Sequence, residues 1–323
     1  MYSLMTQNHF FTEREGCPFC KQSNHPVLHA ISYHETAEAN RNLPNIYGKL
    51  YHCRDCGIAY PSHIYEIAAF EKLYQKSYSD LNYFNESCLQ VIRKKYIKET
   101  LRYLHQPLSL SRLLETFSLS VFQVPYITLE PKGLRICDIG CGFGEFLSIY
   151  QDLGNHVMGT EIHPALVQRL TQMGFTCKQG ELEHINFDET KFDVIIFRGV
   201  FYRTRDPITT IQKAKNALSP GGEIALVEPC PGLDGVEYFF KKQFPQGQFY
   251  ILDKTNYLQM IQEKFGLNCT HFKQIYGRPN APLKSIRFFG NIIGFVELIL
   301  ANLLKQKPYM LNFTLKPYRT DLK

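Results

Sequence analysis

Between residues 134 and 229 short apolar runs alternate with amphipathic segments of about ten residues, and few folds accommodate that pattern. LRICDIG (134–140), HVMGTEI (156–162), FDVIIFRG (192–199) and GEIALVEP (222–229) read as strands, with FTCKQG as a shorter one. FLSIYQDLG, PALVQRLTQMG and ITTIQKAKNAL between them read as helices. Strands alternating with helices of this length imply βαβ units and an α/β architecture around a parallel sheet. Downstream, the pattern predicts a helix over 253–264, a strand over 268–276, an apolar helix over 284–305 and a last strand over 310–316. The stretch after Pro229, CPGLDGVEYFFKKQFPQGQFY, reads as irregular.

The segment DIGCGFG follows the first of these strands and precedes a helix. Gly140 and Gly142 allow the backbone to turn tightly and approach a ligand without a Cβ in the way. The helix behind them offers unpaired N–H groups. A dinucleotide fingerprint requires GxGxxG to cradle a pyrophosphate, whereas the spacing here is GxGxG, with Asp138 two residues ahead of the first glycine. A carboxylate there repels a pyrophosphate but can hold an ammonium group.

On these residues ICDIGCGFGEFL resembles the first motif of class I S-adenosylmethionine-dependent methyltransferases, and the resemblance runs over roughly 134–275. It implies a Rossmann-like, mostly parallel sheet of about seven strands and S-adenosyl-L-methionine as cofactor. Glu161, at the end of the second strand, lies where that family places the acid that accepts both ribose hydroxyls. Glu181 and Leu182 in GELEHINF match the turn beside the adenine, and LSPGGEIALVEP matches the end of the recognisable core. Cofactor contacts are thus expected from Asp138, Gly140, Cys141, Gly142, Gly144, Glu161, Ile162, Glu181, Leu182 and Arg198.

The chain departs from the pattern after the fourth strand. Many relatives that act on small molecules carry a catalytic His there. Here the segment is VFYRTRDP, which puts Tyr202 and Arg203 in the catalytic positions. Neither is a good base at neutral pH. Positioning alone can then carry the reaction, Arg203 can bind an acidic or phosphorylated acceptor, or another residue such as His163 can serve as base.

Cys17 and Cys20 in GCPFCKQ, with Cys53 and Cys56 in YHCRDCGIAY, form two CxxC knuckles. Two such knuckles supply a tetrahedral Cys₄ site for structural Zn²⁺ that leaves no open coordination position. The EANRNLPN loop takes up the long separation between them. CGIAYPSHIYEIAAFEKLYQKSY also resembles zinc-binding methyltransferases of sugar and polysaccharide biosynthesis, in which Tyr74, Tyr78 and Tyr83 would border the active site. The expected organisation is a zinc-binding module over 1–65, a helical linker or lid over 66–132, a cofactor domain over 133–280, and a C-terminal helix and strand over 281–323.

A net charge of +6 permits a polyanionic partner without requiring one, and no dense Lys/Arg stripe marks an RNA grip. The resemblance to sugar and polysaccharide enzymes implies a small molecule or glycan as acceptor, methylated on oxygen, nitrogen or carbon, and the missing stripe counts against nucleic acid. The alternatives are an RNA methyltransferase that uses the zinc module for RNA contact, or an inactive cofactor-binding partner protein. MYSLMTQNHFFTEREG has no secretory pattern, which points to the cytoplasm. Arg287, Asn291, Glu297 and Asn302 interrupt the apolar 284–305 segment, which argues against a membrane span, though peripheral contact stays open.

Overall fold

The computed structural model describes residues 11–32, 47–65, 124–243, 247–276 and 308–317. At the N-terminal end, β1 (Phe11–Glu13) is set apart from three strands, β2 (Val27–Ser32), β3 (Tyr47–Cys53) and β4 (Ile58–Pro61), that form an antiparallel meander. β5 (His63–Tyr65) returns to pair with β1. In that pair Ile64 lies opposite Thr12 and Tyr65 opposite Phe11. The helices expected beyond residue 65, and Tyr74, Tyr78 and Tyr83, lie outside the described residues.

The main sheet starts with β6 (Arg135–Ile139), which leads into α1 (Glu145–Asp152). It continues through β7 (His156–Glu161), α2 (Pro164–Gln172), β8 (Thr176–Gln179), β9 (Phe192–Arg198), α3 (Pro207–Asn216) and β10 (Leu218–Pro229). α4 (Gly232–Gln243), β11 (Tyr250–Ile251) and α5 (Lys254–Phe265) follow, then β12 (Leu267–Tyr276) and β13 (Pro308–Pro317). The seven-stranded order is β12-β13-β10-β9-β6-β7-β8. β6 to β10 run parallel, and β13 is inserted antiparallel between β10 and β12. This is the α/β architecture that the βαβ alternation predicts, and the Rossmann-like, mostly parallel sheet of about seven strands that the resemblance implies.

Both faces of the sheet are covered, which explains why its strands read as continuous apolar runs rather than alternating ones. Ile136, Val194, Ile196 and Ala225 face one side, against Phe146 and Tyr150 of the first helix. Cys137, Ile139, Ile195, Phe197, Ile224 and Leu226 face the other, in a cluster that extends to Phe201, Tyr257 and Phe313. The segment 124–129, which reads as linker, is tied to the first face. Asn312 accepts from the Tyr126 amide and donates to the Val124 carbonyl, and buried Glu223 accepts from the amide and hydroxyl of Thr128.

Three further features depart from the sequence reading. β10 starts at Leu218, ahead of the strand expected over 222–229, with an irregularity between the pairings of Leu218 with Phe192 and Glu223 with Val194 and with Gly221 at φ 80°. The stretch after Pro229 contains α4 rather than irregular chain. Finally, β11 leaves the main sheet altogether: Tyr250 and Ile251 pair with Ala59 and Ile58 and complete the N-terminal sheet as β11-β4-β3-β2. The apolar 284–305 segment lies outside the described residues, and no helix among the described residues is long and apolar enough to cross a membrane.

Candidate active site

The chain leaves β6 toward β7 and β8 on one side, then returns to β9 on the other, so the strand order reverses between β6 and β9. At such a switch point the loops diverge and leave a crevice at the carboxyl ends of the strands. The glycine loop 140–144 borders it. Successive amides of this loop are fixed by the end of β7: Gly140 N–H donates to Thr160 Oγ1 (3.3 Å), Cys141 N–H to the Thr160 carbonyl (2.9 Å), and Gly142 N–H to Glu161 Oε2 (2.9 Å). Gly142 has φ 55° and open space where a Cβ would point, whereas a Cβ on Gly140 would lie 2.8 Å from Val200. The loop thus keeps a bare backbone on its open side. Gly144, at φ 74°, caps the helix that follows.

Glu161 is 6% exposed, and its other oxygen accepts from the His163 amide at 3.0 Å. Burial raises its pKa and the backbone donors oppose that rise. Each oxygen keeps a further lone pair for a hydroxyl donor. Asp138 sits buried on β6, its carboxyl pushed up to about 7 by burial, with Arg198 pulling the other way. The Arg198 guanidinium stacks over Phe146, 4.4 Å from the ring centroid. Glu181 lies 3.9 Å from His184 Nε2, Leu182 is buried and Ile162 is half-buried against the core. Cys141 Sγ rests 3.9 Å from Cys177 Sγ. Sequence reasoning missed Thr160, since a β-branched residue near a strand end carries no signal for a loop clamp.

Tyr202 and Arg203 lie in a short 3₁₀ turn, Phe201–Arg203, just past β9. Tyr202 is 3% exposed, and Arg203 Nε donates to its hydroxyl at 2.8 Å. The turn is held from below by Glu228, at the end of β10, whose two oxygens accept from the Phe201 amide (3.0 Å) and the Tyr202 amide (3.1 Å). Nothing in the sequence singled out Glu228, which reads as one polar residue closing an apolar strand. Burial pushes its carboxyl up to about 8, against the backbone donors and Arg203.

Folded chain therefore holds protons on Glu228 and Asp138 that the unfolded chain has released above about pH 4. The unfolded state binds fewer protons over the window from about 4 to 8, so stability falls as the pH rises through it. Thermal unfolding should accordingly drop by several degrees, roughly, between pH 5 and pH 9. Glu228→Gln, fixed in the neutral state, should flatten that slope; an unchanged slope would show that Glu228 ionises without cost.

In the cysteine module the ligand atoms of Cys17, Cys20, Cys53 and Cys56 all lie within 4.8 Å of one another, with Cys20 Sγ and Cys53 Sγ 3.6 Å apart. Tetrahedral Zn–S bonds of about 2.3 Å place sulfurs roughly 3.8 Å apart, so the donor set fits that ion. The residue after each CxxC is left-handed, Lys21 at φ 63° and Gly57 at φ 65°, which turns both knuckles inward. The Cys56 amide donates to Cys53 Sγ. Burial and hydrogen bonds among the thiols divide the protons unevenly: Cys17 is lowered to about 4 by its neighbours, and Cys56 is raised.

A family described as a methyltransferase domain matches residues 97–271, more than half of the chain. The chain belongs to this methyltransferase family. With its strand order it is a class I S-adenosylmethionine-dependent methyltransferase. It is 30% identical over 109 residues to the tRNA U34 carboxymethyltransferase of Campylobacter curvus, covering 32% of this chain and 36% of that protein. It is 32% identical over 110 residues to the enzyme of the same name from Nautilia profundicola, again covering 32% and 36%. The methyltransferase thus spans little more than a third of the length of these curated relatives. A crystal structure of an S-adenosylmethionine-dependent methyltransferase from Mesorhizobium loti superposes with TM-score 0.44 at 19% identity, over 58% of this chain and 92% of that one.

The relatives correct two expectations. The small-molecule or glycan acceptor, and the view that nucleic acid is not a partner, are overturned by relatives named for a tRNA position. The resemblance to sugar and polysaccharide enzymes finds no support among them. That resemblance rested on the cysteine knuckles and a tyrosine pattern, neither of which specifies an acceptor.

Proposed function

We propose that this methyltransferase modifies RNA, with a tRNA as the first acceptor to test. The carrying observation is its similarity to tRNA U34 carboxymethyltransferases, and the net charge of +6 suits a polyanionic acceptor. Asp138, the loop Gly140–Gly144, Glu161, Ile162, Glu181, Leu182 and Arg198 would hold the cofactor, with Glu161 accepting the ribose hydroxyls. When bound, the cofactor supplies an electrophilic carbon on a sulfonium sulfur. Tyr202 and Arg203 would face the acceptor, Arg203 meeting phosphate charge, and the turn that carries them orients the nucleophile rather than deprotonating it. In the cysteine module, Cys17, Cys20, Cys53 and Cys56 would hold a structural Zn²⁺; their free thiols suit a reducing compartment such as the cytoplasm. The division into a module over 1–65, a linker or lid over 66–132, a cofactor domain over 133–280 and a terminal unit over 281–323 is kept as part of this reading.

Incubating the purified protein with labelled S-adenosylmethionine and total RNA tests the reading. Label in RNase-sensitive material is expected, concentrated in the tRNA fraction. Label in a nucleotide-sugar pool and none in RNA would overturn it.

A further inference from the structure

The two cysteine knuckles do not hang free of the methyltransferase sheet; both are bound into the structure that carries Tyr202 and Arg203. Phe19, between the thiols of the first knuckle, is 0% exposed and stands edge-on to Phe249, with ring centroids 5.1 Å apart. It also meets Phe201, in the 3₁₀ turn itself, at 6.4 Å, and Tyr257 of α5 at 6.0 Å. The Phe19 carbonyl accepts from Lys264 Nζ of the same helix. Phe201 and Phe249 are themselves edge-on at 5.4 Å, so three rings close on one another.

The second knuckle is joined through the strap 248–253. The Gly57 carbonyl accepts from the amides of Leu252 (2.8 Å) and Asp253 (2.9 Å), and the Arg54 carbonyl accepts from Asn256 Nδ2. A Cβ on Gly57 would lie 2.3 Å from the Asp253 carbonyl oxygen, so this approach is open to glycine alone. The other end of the strap reaches the turn: the Tyr202 carbonyl accepts from the amides of Gln248 (2.7 Å) and Phe249 (3.2 Å). Arg14, just ahead of the first knuckle, donates to Gln248 Oε1 at 3.0 Å. The turn is thus gripped on its amide side by Glu228 and on its carbonyl side by the strap, with Phe19 wedged behind it.

We infer that Phe19 is a positioning residue for group transfer, through which the cysteine module sets the place of the Phe201–Arg203 turn. This rests on the reading that the turn faces the acceptor. Gly140, Gly142 and Glu161 are anchored by hydrogen bonds at the end of β7, within the main sheet, so cofactor binding is separable from this effect. Dispersion contacts of a fully buried ring are lost when it is truncated, and a displacement of about 1 Å at a reacting group can cost up to roughly 100-fold in rate.

The test compares full-length wild type, Phe19→Ala and Phe19→Leu. For Phe19→Ala, transfer to RNA should fall at least about tenfold in kcat. S-adenosylhomocysteine affinity should stay within about twofold, and amide hydrogen exchange should quicken at 201–203. Phe19→Leu, which refills most of the space, should recover most of the rate and slow the exchange again. Unaltered exchange at the turn, or cofactor affinity falling in parallel with rate, would overturn the inference. Should wild type bind cofactor yet modify no RNA, the RNA reading fails, while exchange and cofactor affinity still decide the role of Phe19. Metal analysis of the same three samples reports on the zinc assignment independently.

Discussion

Glu161→Gln should weaken S-adenosylhomocysteine binding by roughly 30- to 1,000-fold, read by titration calorimetry, with the chain still folded. The carboxylate has two oxygens, and each is already approached by a backbone donor, Gly142 N–H on one and His163 N–H on the other. Two ribose hydroxyls would complete its four lone-pair sites, and hydrogen bonds to a charged acceptor that are lost on substitution cost about 1.5–3 kcal/mol each. A glutamine offers one acceptor oxygen and one NH₂. Either orientation sets that NH₂ against an amide N–H, so the substitution removes a ribose acceptor and also pushes the glycine loop from its place. Losses of about 2–4 kcal/mol follow, which correspond to the stated fold-change. Glu181→Gln is the comparison: Glu181 Oε2 lies 3.9 Å from the Nε2 of an exposed His184, and a smaller change is expected. A Kd within about twofold of wild type for Glu161→Gln would take this residue out of the cofactor site.

The contrast between Glu161 and Glu228 shows which parts of the site were legible in the sequence. Glu161 stood a fixed distance beyond a glycine loop and at the end of a strand, so a local spacing announced it. Glu228 also ends a strand, but its meaning depends on a turn that precedes it by about one βαβ unit and lies beside it only in three dimensions. The same distinction runs through the fold. The βαβ alternation is local and gave the order of helices and strands over 134–229. β11 has two residues, and its partner is β4, nearly two hundred positions away, so no periodicity could reveal it. α4 was hidden by two glycines in GLDGVEYFFKKQ, where Leu233 in the first turn is exposed and the buried apolar positions begin at Val236. The cysteine pairs were legible as ligands because spacing dictates a knuckle. Phe19 was not, since a residue inside CxxC reads as filler until the aromatic rings behind it are placed. The acceptor lay beyond local reading altogether: the turn 201–203 departs from the His-bearing pattern, and departure names no substrate.

That long-range attachment makes the second large effect a loss at two sites from one change. Cys53→Ser should release the metal, lower the unfolding temperature by roughly 10 °C or more and remove group transfer. Three of the four cysteines are buried, and their ligand atoms all lie within 4.8 Å of one another. A divalent cation at the centre of this group would take all four as thiolate ligands, and structural Zn²⁺ in small sites contributes about 10–16 kcal/mol at pH 7. This is comparable with the whole stability of a typical domain, about 5–15 kcal/mol. A serine in place of Cys53 leaves an incomplete donor set among buried sulfurs. β4 follows that knuckle directly and carries β11 at its edge, while Phe19 of the other knuckle backs Phe201. Loosening the knuckles therefore loosens the strap and the turn, whereas the bonds from Thr160 and Glu161 to the glycine loop are made within the main sheet. Cofactor affinity should consequently outlast transfer as metal is withdrawn by a chelator at moderate temperature. Cys269→Ser is the control: that thiol is exposed on β12, away from the cluster, and its loss should change neither metal content nor unfolding. Equal unfolding temperatures and metal contents for Cys53→Ser and wild type would show that the four sulfurs gather without a shared ion. The module would then be held by its aromatic core, β11 and the hydrogen bonds of the strap and α5.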